Sequence, residues 1–117
     1  QLILGYIMAP IVWLIGIPWN EALTAGKLMG VKTVLNELIA YINLSKLNPN
    51  DLSVKSRIIM TYAMCGFANL SSLGIMIAGL KTIAPEKNDV ILSLGPKSLL
   101  AGTIATLMTG AVVGILL

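Results

Sequence analysis

Three long apolar runs without any charged residue divide the chain: residues 1–20, 58–80 and 98–117. Each run is about 20 residues long, roughly the length that an α-helix needs to cross ~30 Å of hydrocarbon. Shorter polar stretches separate the runs and hold the charged side chains. This pattern predicts an all-α membrane protein in which lipid is the solvent for most of the chain.

Residues 1–19 contain features that interrupt a helix near the membrane surface. Pro10 and Gly16 lie within the run, and Trp13 and Trp19 lie near its end. Proline can kink a helix, and tryptophan favours the membrane interface. We therefore predict a broken helix or an interfacial helix for residues 1–19, and the pattern leaves both open.

Within the segment 20–47, residues 30–41 are too polar for a lipid-facing span and too apolar for a solvent loop. Asn20 is a good N-cap for a first helix. Gly30, Lys32 and the Asn-Glu pair ending at Glu37 interrupt the middle of the segment. Non-helical backbone at membrane depth is tolerated only where it faces protein or a wet cavity. The segment is therefore predicted to form a re-entrant hairpin that lines a cavity.

Residues 53–82 begin with a capping residue, Ser53, and continue as an apolar helix with a polar centre. Residues 65–72, with the sequence CGFANLSS, place a glycine, an asparagine and two serines at mid-membrane. Such a composition predicts an unwound stretch between two half-helices. We therefore expect a discontinuous transmembrane helix over residues 53–82.

The last part of the chain is predicted to hold two helices. Pro85 suits the first turn of a short interfacial helix over residues 85–94, which Gly95 would end. Pro96 would then start a last transmembrane helix over residues 96–117. Its small residues share one face, which predicts a close-packing surface within the fold. These residues are Gly102, Thr106, Gly110 and Gly114.

Composition supports a membrane protein and excludes several functional classes. Of the 117 residues, 56% are hydrophobic and 11% are charged, whereas soluble domains carry about 25% charged residues. The net charge of +3 does not indicate nucleic-acid binding, because the basic residues flank apolar runs. The two polar connections carry similar numbers of basic residues, so membrane orientation is not predicted. The chain has no histidine and only one cysteine, so no His-based metal site or catalytic triad is expected.

Glu37 is the most informative polar residue. A charged side chain at membrane depth costs roughly 2.5–3.5 kcal/mol on insertion scales, and such residues are candidates for function. The alternative is a structural role, either in an ion pair with Lys32 or as a solvated carboxylate at the tip of the hairpin. Lys32 itself lies near the tip and could reach water or pair with Glu37, and we expect a structural role for it.

Asn69, Ser71 and Ser72 form a second polar group at the predicted break in residues 53–82. Their side chains could contact a ligand, or they could cap the backbone groups that the break leaves unpaired. Phe67 lies in the same stretch and could pack on a planar ligand, although a single aromatic residue in an apolar run more commonly belongs to a core.

Two motifs resemble the signatures of concentrative nucleoside transporters. Residues 30–41, GVKTVLNELIAY, are similar to the pattern G-x-K-x-x-x-N-E-F-V-A followed by an aromatic residue, with Leu38 and Ile39 in place of Phe and Val. Residues 65–69, CGFAN, match a second family stretch, and residues 71–75 resemble its continuation. The resemblance covers nearly the whole chain and is to the C-terminal portion of a bacterial-type member.

The resemblance implies a multi-pass protein of the cell inner (plasma) membrane that forms homotrimers and imports nucleosides by cation symport. The substrate site of this family lies between two re-entrant hairpins and two broken helices. This chain would contribute the second hairpin, the second broken helix and the last span. By the same resemblance, Glu37 accepts hydrogen bonds from ribose hydroxyls, Asn69 and Ser72 also bind ribose, and Phe67 lines the site.

The resemblance leaves other properties open, because the first hairpin and most residues that would hold the coupling ion lie outside this chain. Sodium and proton coupling therefore both remain possible, as do pyrimidine and purine preferences. No other cofactor is expected, and the isolated chain is not expected to transport. The partners implied are the nucleoside, the lipid bilayer and the other subunits of the trimer.

Two other functions compete with transport. The chain could be a small structural membrane subunit that packs through its glycine faces, in which case replacing Glu37 with glutamine would be harmless. It could also belong to a membrane enzyme that uses Glu37 as an acid or base, but no second catalytic partner is evident. We therefore predict that the protein is a transporter and not an enzyme.

Overall fold

The computed structural model describes residues 2–117 of the chain. This range is helical throughout, with short connections and one 3₁₀ turn, Pro85–Lys87. The α-helices are α1 (Leu2–Leu14), α2 (Trp19–Val34), α3 (Glu37–Ser45), α4 (Val54–Ala63), α5 (Leu70–Ile83) and α6 (Asn88–Leu116). The all-α fold class is therefore confirmed.

Helices α1 and α2 form the tightest pair in the fold and are bent by 119° relative to each other. The chain turns at Gly16, whose φ of +112° is readily adopted only by glycine. Helix α1 continues through Pro10 without a break. A Cβ at Gly26 would lie 2.5 Å from the carbonyl oxygen of Gly5, so the absence of a side chain brings the two backbones together.

Replacing Gly26 with alanine is expected to destabilise the complete protein by about 1–3 kcal/mol. The new Cβ would meet backbone atoms of Gly5 and Ala9, which cannot move unless α1 and α2 separate. Thermal unfolding of the purified protein in detergent measures the effect. Gly79→Ala in α5 is the matched control, because its Cβ would meet no described atom within 4 Å. Equal changes in Tm for the two variants would contradict the prediction.

Helices α2 and α3 form a hairpin whose tip differs from the prediction. Helix α2 begins at Trp19 after Pro18, so Asn20 is not its N-cap. The predicted interruption at Gly30 and Lys32 is also wrong, since both residues lie inside α2. Gly30 remains helical because it packs against Leu4 of α1, where a Cβ would lie 2.7 Å from the Leu4 side chain.

The actual tip of the hairpin consists of Leu35 and Asn36. The Asn36 side chain accepts a hydrogen bond of 3.0 Å from the backbone N–H of Ile39 and so caps α3. The tip thus supplies its own cap at the point where the chain reverses.

Helices α4 and α5 are separated by a break at residues 64–69. Ser53 caps α4 as predicted, accepting a hydrogen bond of 3.2 Å from the N–H of Ser56. The break is shorter than the predicted stretch 65–72, because Ser71 and Ser72 lie in the first turn of α5. Asn69 allows this early start by capping α5.

Helix α6 is continuous from Asn88 to Leu116, so the predicted division at Gly95 and Pro96 is wrong. Proline is tolerated inside membrane helices where neighbouring groups satisfy the freed backbone. The turn before Pro96 packs on α5, where a Cβ at Gly95 would lie 3.0 Å from the Ile77 side chain. Packing of α6 against α4 and α5 therefore outweighs the local breaking signal.

The small-residue face of α6 packs within the fold, as predicted. A Cβ at Gly110 would lie 2.9 Å from the Cβ of Ala63, and one at Gly102 would lie 2.9 Å from that of Ala68. Gly102 and Gly110 thus face the break and α4 within the fold.

Among the described residues, one helical stretch, Pro85–Leu116, is long and apolar enough to cross a bilayer. Helices α1 and α2 meet the same criterion only when they are taken together as one bent span. Helix α5 is apolar but shorter. The remaining helices are too short to span a bilayer alone.

Candidate functional site

The start of the hairpin is fastened to the start of α4 by a carboxylate. Glu21, in the first turn of α2, accepts hydrogen bonds from the backbone N–H of Ser53 at 3.0 Å and from its hydroxyl at 3.4 Å. The buried hydroxyl of Ser56 donates to the same carboxylate. One carboxylate therefore joins two helix N-termini, where the helix dipoles favour negative charge.

The second helix of the hairpin, α3, is held at its C-terminal end by Arg57 of α4. Its guanidinium donates to four backbone carbonyls at and after the end of α3. The acceptors are Leu44, Leu47, Asn48 and Leu52, at distances of 2.6–3.4 Å. The Tyr41 hydroxyl adds a hydrogen bond of 2.6 Å to the carbonyl of Thr61. The hairpin is thus fixed along the length of α4.

Lys32 links the far end of the hairpin to the break between α4 and α5. Its side chain is fully buried, at 0% exposure, and its ammonium donates a hydrogen bond of 3.0 Å to the carbonyl of Ala68. The sequence suggested that Lys32 reaches water or pairs directly with Glu37. The structure contradicts the first and replaces the second with a backbone partner 36 residues away.

A cleft of about 340 Å³ opens beside the break, between α5 and α6. Its walls include three of the four predicted site residues, Phe67, Asn69 and Ser72. The other lining residues are Ala68, Leu73, Met76, Ser98 and Leu99. The break therefore brings an aromatic ring and polar side chains to an otherwise apolar cavity.

Asn69 has one of the two roles that the sequence left open, because it caps α5. Its side-chain oxygen accepts a hydrogen bond of 2.8 Å from the N–H of Ser72, which caps α5. Its amide nitrogen is buried without a hydrogen-bond partner, although the residue lines the cleft. The cap fixes the orientation of the side chain, and the NH₂ group that it leaves unpaired carries two N–H donors.

Phe67 and Glu37 occupy contrasting positions. The Phe67 side chain is 78% exposed at the cleft, so it lies outside the core that the described residues form. Glu37 lies in the first turn of α3 at the tip of the hairpin and is not among the residues that line the cleft. One of its carboxylate oxygens is buried without a partner. The structure therefore groups three predicted residues and leaves Glu37 apart from them.

The sequence interpretation missed the residues that anchor the hairpin, which are Glu21, Tyr41, Ser56 and Arg57. A charged residue such as Arg57 at the start of an apolar run is a possible signal. Most of its acceptors, however, are backbone carbonyls, which no side-chain pattern reveals.

Comparison with known proteins identifies the family. The family model described as "Na+ dependent nucleoside transporter C-terminus" matches residues 1–114. "Uncharacterized transporter YutK" of Bacillus subtilis is 47% identical over 112 residues, which are 96% of this chain and 28% of that protein. "Nucleoside permease NupC" of Helicobacter pylori is 41% identical over 118 residues, covering 97% of this chain and 28% of that protein.

Solved structures give the same result. CNTnw in an inward-facing substrate-bound state matches with a TM-score of 0.89 and 41% identity, over 97% of this chain and 28% of that one. An outward-facing CNTnw variant also matches with a TM-score of 0.89, at 40% identity over 97% of this chain and 29% of that one. The chain thus spans about 28% of the length of these relatives.

The named relatives are a transporter and a permease rather than enzymes, in agreement with the prediction. Members of this family are membrane proteins, which accords with the apolar composition of the chain. Because the family model matches nearly every residue, the resemblance drawn from the two motifs is confirmed. The chain belongs to the Na⁺-dependent nucleoside transporter family and represents its C-terminal part.

Proposed function

We propose that the complete protein carrying this chain imports nucleosides across the plasma membrane, and that this chain supplies the ribose-binding half of the substrate site. The observation that carries the proposal is the cleft beside the break, where Phe67, Asn69 and Ser72 lie together. The family membership supports a nucleoside as the ligand of this cleft.

The unpaired polar atoms are complementary to a sugar. A buried polar group without a partner costs about 1–3 kcal/mol, which a ligand can restore. The Asn69 amide would donate a hydrogen bond to a ribose hydroxyl oxygen, and the Glu37 carboxylate would accept a hydrogen bond from a ribose hydroxyl group. Hydrogen bonds to an ionised carboxylate are roughly twice as strong as neutral ones. Phe67 exposes a ring face against which a planar base can stack.

Sodium is the coupling ion that the family membership favours over protons. Most residues that hold it would lie outside this chain. We further propose that α2 and α3 form a re-entrant hairpin and that the complete protein is a homotrimer in which each subunit has its own pathway. The polar residues near the tip of the hairpin and the burial of Lys32 against the break support a position at membrane depth.

Transport would proceed by an elevator-like shift of the hairpin together with α4 and α5. The contacts of Glu21, Arg57 and Lys32 fasten the hairpin to α4 and the break, which supports movement as one body. Equal similarity of the chain to inward-facing and outward-facing relatives also supports a segment that keeps its internal structure. Cross-links that trap the complete protein facing each side test this, and equal reactivity of tip residues in both states would count against it.

Uptake of radiolabelled uridine into proteoliposomes tests the function. We expect uptake by the complete protein to follow an inward Na⁺ gradient and to stop when K⁺ replaces Na⁺. Uptake driven by a proton gradient without Na⁺ would overturn sodium coupling but keep nucleoside transport. No uptake of uridine or other nucleosides under any gradient would favour the structural-subunit alternative.

A further inference from the structure

We infer that Lys32 is a positioning residue for the substrate cleft: from outside the cleft, its ammonium holds the carbonyl of Ala68 and thereby the segment that carries Phe67 and Asn69. This inference rests on the proposed function for its transport readout. The contact itself can be measured without any transport.

The first observation is the burial of a cation. Lys32 has no exposed surface, and a buried charge is strongly unfavourable unless hydrogen bonds or an opposite charge compensate it. The bond to Ala68 is the hydrogen bond that its ammonium makes. The Glu37 carboxylate also attracts the ammonium through space, but Lys32 makes no hydrogen bond to it. The position of Lys32 is therefore tied chiefly to one carbonyl.

The second observation is the backbone that Lys32 contacts. Ala68 lies in the irregular break and directly precedes Asn69, the cap of α5, so its carbonyl has no helical partner. An unpaired carbonyl in an apolar environment is costly, and the Lys32 ammonium satisfies it. Removing the ammonium would release the segment to find another partner.

The third observation is the location of this backbone. Ala68 and both of its neighbours line the cleft, whereas Lys32 does not. The oxygen of the Asn69 side chain caps Ser72, which fixes the orientation of the unpaired NH₂ group. A shift of Ala68 would move Asn69 relative to α5 and misplace both Phe67 and the free amide. Lys32 therefore affects the substrate through the backbone and not by contact.

Lys32→Met in the complete protein tests the inference, since methionine keeps an unbranched side chain but lacks the ammonium. We expect the KM for uridine to rise about tenfold or more. Lys27→Met, on the same helix but away from the break, is the matched control and should leave KM unchanged. Lys32→Arg retains charge and donors and should recover part of the affinity. Elution volume and thermal unfolding show whether each variant is folded.

A spectroscopic measurement without substrate separates this inference from the proposed function. Labelling Ala with ¹³C at the carbonyl and Asn with ¹⁵N selects Ala-Asn pairs, of which this chain contains one, Ala68 and Asn69. Lys32→Met should shift the Ala68 carbonyl resonance, and Lys27→Met should not. If the complete protein transports no nucleoside, the proposed function fails, but this shift still tests the contact.

Two results would overturn the inference. If the Ala68 resonance were unchanged in folded Lys32→Met, the contact between Lys32 and Ala68 would not exist in the protein. A shifted resonance with unchanged KM in a transporting protein would show that the contact does not position the site. If Lys32 only compensated the charge of Glu37, Lys32→Met would have no effect on KM in a Glu37→Gln background and the Ala68 resonance would not move.

Discussion

Replacing Glu37 with glutamine is expected to lower the efficiency of uridine uptake by the complete protein roughly 100-fold or more, while the protein remains folded. The carboxylate is a pure acceptor that can bind two hydroxyl groups, whereas glutamine offers one acceptor oxygen and a competing NH₂ group. Hydrogen bonds to charged groups contribute about 1.5–3 kcal/mol each. Two such bonds correspond to roughly 10² to 10⁴ in binding.

The absence of hydrogen-bond partners for Glu37 among the described residues supports a loss of this size in uptake efficiency. One of its oxygens is buried with no partner, and Lys32 donates to Ala68 instead of pairing with it. The carboxylate is thus not committed to a structural bond that glutamine would break. Glu86→Gln, an exposed acid in the 3₁₀ turn, is the matched control and should transport normally.

A substrate analogue tests whether Glu37 contacts a particular ribose hydroxyl. With 3′-deoxyuridine, which lacks one ribose hydroxyl, the complete protein should transport less efficiently, and the further loss caused by Glu37→Gln should be smaller than with uridine. Such coupling indicates a direct interaction between side chain and hydroxyl. Equal losses for the two substrates would mean that Glu37 does not contact that hydroxyl. Full uptake by the variant would leave Glu37 with a structural role.

The parts of the fold that the sequence predicts well depend on local chemistry. Ser53 caps the helix that follows it with a bond to an N–H three residues later, and Asn69 does the same at the break. Such caps need only a short polar side chain and a nearby backbone donor, so they are visible within four residues of sequence. The apolar pattern likewise identifies α6 as a membrane helix.

The errors occur where tertiary packing overrides a local signal. Gly30 and Pro96 both disfavour a helix, yet each lies inside one because a neighbouring element stabilises it. Gly30 packs on α1, and the turn before Pro96 packs on α5, where Gly95 is buried. The sequence contains the breaking residues but not the neighbours that decide the outcome.

In the candidate site, too, local groupings are predictable from the sequence and tertiary contacts are not. Phe67, Asn69 and Ser72 are close in sequence and lie at one break, so a motif suffices to group them. The partner of Lys32 is a backbone carbonyl 36 residues away, and every residue type carries such a carbonyl. Contacts of this kind leave no trace in a single sequence, which is why the link between the hairpin and the break was not predicted.

Asn69→Asp is expected to raise the KM for uridine by about 10- to 100-fold without weakening α5. Aspartate keeps the oxygen that caps Ser72, and it is as good an N-cap as asparagine. It loses the NH₂ group that lies unpaired at the cleft. A ribose hydroxyl oxygen would then face a carboxylate at the position from which the NH₂ group of asparagine donates.

Comparison with Asn69→Ala separates the two roles of this residue. Alanine removes both the cap and the donor. It should therefore raise the KM for uridine and also lower the free energy of unfolding by about 1 kcal/mol. Aspartate should show the rise in KM with little change in Tm. Ser71→Ala, an exposed neighbour in the same turn, is the control for both measurements. If Asn69 only capped α5, aspartate would behave like the unmodified protein, and the ribose contact proposed for this residue would have to be abandoned.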